Sequence, residues 1–255
     1  MGYTAPVSWQ NRLGNQLLRP FGLVVHRAPT HRFDAVEEAL HGLRQRGYRP
    51  RRVLDIGANR GQWANKALPI FPEARFDLLE PQPSCRGALA ELAQRHGGRL
   101  RHHAVAASAP GTTVVNMAGT GDTMSNTGAH VSREANPGTV EIPATTLDTL
   151  FAAELTPADR ALLKLDIEGH EIEALHGAEK LLEVVEVILA EVQFFEIENN
   201  GLPTFTDLVV FLRDRHFDLH DIACLASRRR DGRLRMGDVL FVRRGSELAA
   251  DVGWR

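Results

Sequence analysis

Short apolar runs alternate with longer amphipathic segments along most of the chain. In the segment 33–47 apolar residues recur every three or four positions, which predicts a helix that ends at Gly47. The next run, RRVLDIG, is short and rich in apolar residues, and therefore predicts a buried strand. The same alternation predicts strands at 75–81, 100–108, 161–169 and 185–194, and helices at 61–71, 84–96, 146–155, 170–183 and 205–217.

This alternation predicts an α/β fold in which a mostly parallel, Rossmann-like sheet carries helices on both faces. The last two predicted strands, 217–226 and 237–244, have no helix between them, so we expect an antiparallel hairpin that completes a seven-stranded sheet. Five arginines lie in the connection of this hairpin, which we interpret as a solvated loop around Asp231 and Gly232. The chain then divides into a helical extension at 1–50, a main domain at 51–245 and a tail at 246–255.

The segment 108–140 interrupts the alternation, because it is rich in Gly, Thr, Ser and Asn and has little helical period. We predict a long loop inserted between the third and fourth strands, with short strands in VVNM and TVEIP. A loop of this length in a compact domain is usually functional. We expect it to cover the carboxyl ends of the strands, and a merely connecting loop is the alternative.

Composition and charge exclude several classes of protein. Apolar residues make up 43% of the 255-residue chain, enough for a sizeable core, and the net charge of -2 gives no sign of a nucleic-acid partner. The two cysteines, Cys85 and Cys224, have no metal-binding spacing, and a disulfide framework is not expected. The most apolar stretch, 184–195, is too short to span a bilayer and contains Glu186 and Glu191. We therefore predict a soluble, cytoplasmic protein without stable membrane insertion.

Two acidic residues follow neighbouring strands and flank a glycine turn. In VLDIGANRGQW, Asp55 lies near the end of a buried strand, and Gly57 and Gly61 frame the turn that precedes a helix. Glu80 ends the next strand, where a carboxylate can accept both ribose hydroxyls of a nucleoside. The turn lacks the G-x-G-x-x-G spacing of pyrophosphate-binding loops, which argues against a nicotinamide oxidoreductase. Asp55 would repel a pyrophosphate but suits a ligand with ammonium and sulfonium charges.

Four segments in a fixed order carry a family resemblance. VLDIGANRGQW, DLLEPQP, LLKLDIEGHEIEALHGAEKLL and the closing hairpin resemble the FkbM family of S-adenosylmethionine-dependent methyltransferases, from about Arg51 to Arg243. The resemblance implies a Rossmann-like class I methyltransferase fold with S-adenosylmethionine as the cofactor. It also implies O-methylation of a hydroxyl on a sugar, a glycoconjugate or another small metabolite. An N-methyltransferase and a non-catalytic cofactor-binding module are the alternatives.

The resemblance also assigns residues to the parts of the cofactor. Glu80 is expected at the ribose. The adenine contact is expected near the end of the third strand, where His103 and Ser108 are the polar side chains, or from backbone groups. The residues expected along the methionine part are Asp55, Gly57, Asn59 and Gly61.

Charged side chains at the end of the predicted strand 161–169 are the catalytic candidates. Lys164, Asp166 and Glu168 share one face if the strand stays extended, and charges in an apolar strand are costly without a purpose. Methyl transfer to a hydroxyl needs a group that removes the proton. We expect His170 or Asp166 to be that base, with Glu168 beside them. The alternatives are an ion pair between Lys164 and Asp166, and a helix cap formed by Glu168.

The acceptor is expected to be a small molecule or a sugar bound beside the inserted loop. Ser125 and Asn126 lie near the place where family members carry a short serine-containing motif, and His130 is a second candidate base. Acids that end adjacent strands suit hard cations, so Asp166 and Glu191 are the candidate metal ligands, but we predict no metal. A homodimer is compatible with the sequence, which does not determine the oligomeric state.

Overall fold

A seven-stranded sheet forms the centre of the computed structural model, which describes residues 32–119, 128–132, 137–196 and 201–250. The strands in the described ranges are β1 (Arg52–Ile56), β2 (Arg75–Leu79), β3 (Leu100–His103), β4 (Ala106–Ala107), β5 (Val114–Ala118), β6 (His130–Ser132), β7 (Val140–Thr145), β8 (Ala161–Leu165), β9 (Val185–Gln193), β10 (Phe217–Ser227) and β11 (Leu234–Arg243). The large sheet has the order β10-β11-β9-β8-β1-β2-β3, and only β11 runs antiparallel to its neighbours. The predicted Rossmann-like sheet and its C-terminal hairpin are confirmed.

Six α-helices lie in the described ranges and connect or flank these strands. They are α1 (Arg32–Gln45), α2 (Gln62–Ile70), α3 (Arg86–His96), α4 (Leu147–Phe151), α5 (Glu171–His176) and α6 (Phe205–Arg213). Polar side chains at the helix starts explain some of the bounds, since Thr204 and Asp207 form a capping box at α6 and Thr146 caps α4. Within these ranges, no helix combines the length and apolar character needed to cross a bilayer. The helix α1 lies in the predicted extension 1–50, of which residues 1–31 are outside the described part.

Apolar side chains on the two faces of the large sheet form separate cores. Successive strand residues point to opposite faces, so Val53 packs with α1, α2 and α3, whereas Leu54 packs with α4, α5 and α6. The central strands β1 and β8 are buried along their whole length, which explains their nearly continuous apolar runs. Two buried charges interrupt those runs. Asp55 and Lys164 lie opposite each other in the β1–β8 register.

In the predicted loop 108–140, the short strands expected in VVNM and TVEIP are present as β5 and β7, and with β4 and β6 they form a second, smaller sheet that was not expected. In that sheet β5 pairs antiparallel with both β6 and β7. The predicted strand 100–108 also divides, since β3 stays in the large sheet while β4 leaves it and pairs parallel with β7. The physical reason is a separate apolar cluster that closes this sheet. Its buried members are Ala106, Val115, Met117, Ala129, Ile142 and Ala144.

Candidate active site

A cavity opens at the carboxyl ends of β1, β2 and β8. Strand β1 is followed by β2 and β3 on one side of the sheet, whereas β8 is followed by β9 on the other side. Ligands of open α/β sheets bind at this kind of switch point. Several predicted site residues line the cavity, which we call the first cavity: Gly57, Asn59, Glu80, His130, Asp166, Glu168 and His170.

The glycine turn after β1 has the left-handed backbone that its sequence predicts. Gly57 and Gly61 have φ angles of 81° and 80°, and Asn59 has a φ of 48°, which asparagine tolerates better than most residues. A Cβ atom on Gly57 would lie 2.0 Å from the backbone oxygen of Asp166, so a side chain there would push β1 away from the turn after β8. The glycine therefore allows two loops of the site to touch.

Glu80 joins the glycine turn to the loop that follows β2. Its side chain is 3% exposed, and its carboxylate accepts hydrogen bonds from the backbone N–H groups of Asn59 at 2.8 Å and Gln82 at 2.9 Å. Burial raises the pKa of Glu80, and the two N–H groups act against that rise. Glu80 lines the first cavity, and the two backbone N–H groups fix the orientation of its carboxylate. A carboxylate that binds two ribose hydroxyls needs such a fixed orientation.

Asp55 faces Lys164 and does not line the first cavity. The Lys164 ammonium lies 2.9 Å from Oδ1 of Asp55, donates to the backbone oxygen of Gly57 at 2.9 Å, and lies 3.6 Å from Asp166. Burial raises the pKa of Asp55, while Lys164 acts in the opposite direction. Asp55 is therefore not placed to contact a cofactor in the first cavity, contrary to the expectation from the sequence. This carboxylate instead holds the lysine that supports the turn, and Asp166 is the acid that reaches the cavity.

His103 also lies away from the first cavity. Its Nε2 atom is 2.9 Å from Oδ1 of Asp77, and its ring packs edge-on against Phe151 at a centroid distance of 5.5 Å. Apolar and backbone groups of the segment 105–107 line the cavity at the place where an adenine contact was expected. Gly61 does not line the cavity either, because its position is packed against Leu92 of α3.

The turn after β8 brings the three catalytic candidates to the first cavity, although not on one strand face. Strand β8 ends at Leu165, and Glu168 has a φ of 54°, so the expected extended K-x-D-x-E strand is wrong. The expected alternative of a helix cap by Glu168 is wrong as well. The N-cap residue of α5 is His170, and the carboxylate of Glu171, the first residue of the helix, accepts hydrogen bonds from the N–H groups of Ile167 and Gly169 in the preceding turn.

His170 has the electrostatics of a neutral imidazole. Its Nε2 atom lies 3.1 Å from the hydroxyl of Ser108, a residue that is 2% exposed. Burial lowers the pKa of His170, so the ring is uncharged at neutral pH and can accept a proton. Ser108 was expected only as an adenine contact. Its pairing with a histidine 62 positions away is a product of the tertiary structure.

The described part of the segment 108–140 lies at the same rim as the strand ends. Met117, Ala129 and His130 line the first cavity together with the residues of β1 and β8. His130 is exposed, and its Nδ1 atom lies 3.0 Å from the backbone oxygen of Gly128. The predicted acceptor residues Ser125 and Asn126 lie outside the described residues.

A second cavity adjoins the first, and His130, Val131 and Glu168 line both. Its other walls are the end of β9, the segment 202–208 and the start of β11. Carboxylate oxygens of three acids lie within 4.8 Å of one another at this junction: Asp166, Glu168 and Glu191. Such a group can receive hydroxyl or ammonium donors, and its oxygen ligands would also suit a hard cation. The absence of a metal stays a prediction.

Solved methyltransferase structures resemble the chain in fold. The FkbM methyltransferase of Methylobacillus flagellatus KT is 16% identical, aligned over 76% of this chain and 43% of that chain, with a TM-score of 0.48. An O-methyltransferase family protein of Burkholderia thailandensis is 14% identical over 92% of this chain and 58% of that chain, with a TM-score of 0.46. The chain thus spans less than two thirds of the length of either protein.

A third structure contains ligands. It is the 1,6-didemethyltoxoflavin-N1-methyltransferase of Burkholderia thailandensis with bound 1,6-didemethyltoxoflavin and S-adenosylhomocysteine, which is 16% identical over 94% of this chain and 92% of that chain, with a TM-score of 0.46. Likeness at this level concerns the fold alone.

The sequence itself matches one family model over most of its length. No curated protein sequence matches the chain. The model described as the methyltransferase FkbM domain, however, matches residues 55–219, which is more than half of the chain. The chain therefore belongs to the FkbM methyltransferase family, as its sequence predicts.

Proposed function

We propose that the protein transfers the methyl group of S-adenosylmethionine to a hydroxyl group of a small acceptor, with the cofactor in the first cavity and the acceptor in the second. One observation carries this proposal. The partly buried imidazole of His170, whose pKa is lowered, and the carboxylates of Asp166 and Glu168 lie at the first cavity, and Glu168 also lines the second. A hydroxyl must lose its proton to become methylated, and a neutral imidazole at this place is a suitable base.

The first cavity fits the chemical parts of the cofactor. Glu80 accepts the ribose hydroxyls, and the turn at Gly57 and Asn59 approaches the methionine part closely because it carries no bulky side chain at position 57. Asp166 receives the ammonium group, and the apolar wall at 105–107 packs against the adenine. The Asp166 carboxylate suits the cationic end of such a ligand, and the apolar wall suits its flat, uncharged base.

Proton removal in the proposed reaction is assigned to His170. S-adenosylmethionine supplies a methyl group on a positively charged sulfur, which keeps the bonding electron pair when the methyl leaves. In the tautomer that this role requires, the Nε2–H group donates to the Ser108 hydroxyl oxygen, and the unprotonated Nδ1 receives the acceptor proton. Met117 and Val131 of the smaller sheet line the same cavity, and the placement of the acceptor oxygen by Glu168 contributes the alignment that methyl transfer needs.

Calorimetry with S-adenosylhomocysteine tests the cofactor part of the proposal. We expect binding, and we expect Glu80→Gln to weaken it by about 1.5–3 kcal/mol, because a charge-assisted hydrogen bond is lost. Glu91→Gln is the matched control, since Glu91 is exposed on α3. Absence of binding to the unaltered protein, or equal affinity in both variants, would contradict the assignment.

N-methylation is the second candidate, because the three carboxylates around Glu168 would also hold an ammonium group. Methyl-labelled S-adenosylmethionine and a panel of matched alcohols and amines separate the two reactions. The carbon-13 shift of the transferred methyl distinguishes an O-methyl from an N-methyl product. We expect label only in the alcohols, and label only in the amines would refute O-methylation. The acceptor class, the cytoplasmic location and the oligomeric state stay predictions.

A further inference from the structure

The hairpin of β10 and β11 concentrates positive charge beside the second cavity. Its segment 228–235 contains five arginines and one aspartate, a net charge of +4 on a chain whose total is -2. The sequence pattern alone favoured a solvated loop. The structure changes that interpretation because Arg235 is one of the residues that line the second cavity, together with Met236.

The arginines of this hairpin have different surroundings. Arg228 pairs with Asp231 and lies 4.9 Å from the ring of Phe195, and Arg233 stacks on the same ring at 4.0 Å. These contacts hold two guanidinium groups in place. Arg235 is exposed and makes no ion pair within the described ranges, so its guanidinium is available to a ligand in the cavity.

The second cavity is consequently negative at one end and positive at the other. Glu191 pairs with Asp238 in the β9–β11 register, and Arg235 lies three residues earlier on β11. Three residues of strand correspond to about 10 Å, so the backbone of Arg235 lies at most about that distance from the backbone of Asp238, beside a register shift between β10 and β11. An anion is repelled from the acidic end, whereas hydroxyl groups can donate hydrogen bonds to it.

We propose that the acceptor carries a phosphate group, which Arg235 binds at the outer end of the second cavity while a hydroxyl lies at the carboxylates. This inference rests on the proposed function, and it adds the class of substrate. A guanidinium matches two oxygens of a phosphate with two parallel hydrogen bonds. The net +4 charge of the hairpin favours a doubly charged phosphate over a singly charged carboxylate, and it attracts such a ligand toward the cavity.

The test uses protein saturated with S-adenosylhomocysteine and three probes, namely glucose 6-phosphate, glucuronate and glucose, in NMR-detected titrations. We expect glucose 6-phosphate to bind about tenfold more tightly than either other probe, as one charge-assisted contact predicts. Arg235→Gln should remove about that factor, Arg235→Lys should restore part of it, and the exposed control Arg95→Gln should have no effect.

Three results would overturn the inference. They are equal affinity for glucose 6-phosphate and glucose, an unchanged affinity in Arg235→Gln, and glucuronate binding as tight as that of the phosphate. Failure of S-adenosylhomocysteine to saturate the protein would contradict the proposed function instead. The two failures are therefore distinguished in the same samples.

Discussion

The buried pair of Lys164 and Asp55 offers a direct test of how the glycine turn is held. Lys164→Met removes an ammonium that is 4% exposed and leaves the fully buried Asp55 carboxylate without its 2.9 Å partner. Breaking a buried ion pair in this way costs about 3–5 kcal/mol, because the remaining charge stays desolvated. The variant also removes the hydrogen bond to the Gly57 oxygen. We therefore expect a loss near the upper end of that range.

The loss of unfolding free energy should depend on pH, because protonation of Asp55 removes the unpaired buried charge. Burial already raises the pKa of Asp55, and removal of Lys164 raises it further. When the pKa of a carboxyl group is higher in the folded state than in the unfolded state, the protonated group favours folding. This contribution is complete below the unfolded-state pKa and is lost as pH rises through the folded-state pKa. Lys164→Met should consequently be closer to the unaltered protein at pH 5 than at pH 8.

Urea unfolding followed by circular dichroism measures these differences. The double variant Asp55→Asn with Lys164→Met should be more stable than Lys164→Met alone, since no buried charge is left uncompensated. Lys180→Met, at an exposed position, should change the free energy of unfolding by no more than about 0.5 kcal/mol. A loss below about 1 kcal/mol in Lys164→Met, without dependence on pH, would refute the assigned role of the pair.

Further predictions concern the turn, the base and a buried aspartate. Gly57→Ala should abolish binding of S-adenosylhomocysteine in calorimetry, because its Cβ would lie 2.0 Å from a backbone oxygen, whereas Gly98→Ala meets no atom within 4 Å and should bind normally. His170→Ala should lower kcat by about 10²–10⁴-fold with cofactor affinity retained. Unaltered turnover would show that His170 is not the general base. In the unaltered enzyme, the lowered pKa of His170 should keep kcat constant as pH falls through the usual histidine range, and a decline near 6.5 would contradict this. The Asp77 carboxylate is contacted by Arg52, Arg101 and His103, and its pKa is lowered from 3.8 to about 2. The free energy that Asp77 contributes to folding above pH 4 should therefore disappear as pH falls toward 2. This pH dependence should be absent in Asp77→Asn.

The large sheet and its helices were predictable because their signals are local. Continuous apolar runs at β1 and β8 reflect burial on both faces, and the helical period of 33–47 reflects burial on one. Two strands of the smaller sheet were also predictable, from VVNM and TVEIP, but their pairing into a sheet was not. Its strands have two to six residues and partly exposed faces, so their patterns are short, and their pairing depends on an apolar cluster assembled from distant segments.

The candidate site divides along the same line. From the amino-acid pattern alone, a glycine turn, Glu80 and the segment LKLDIEGH could be placed at strand ends of one sheet, because strand ends and turn residues are encoded in adjacent positions. Which of these groups line a cavity depends on the three-dimensional arrangement of the chain. It paired Lys164 with Asp55 across neighbouring strands, placed Ser108 against His170, and brought Arg235 to a cavity shared with Glu168. Such pairings depend on strand register and on backbone turns that bring together residues far apart in the chain. A local sequence pattern contains no information about either.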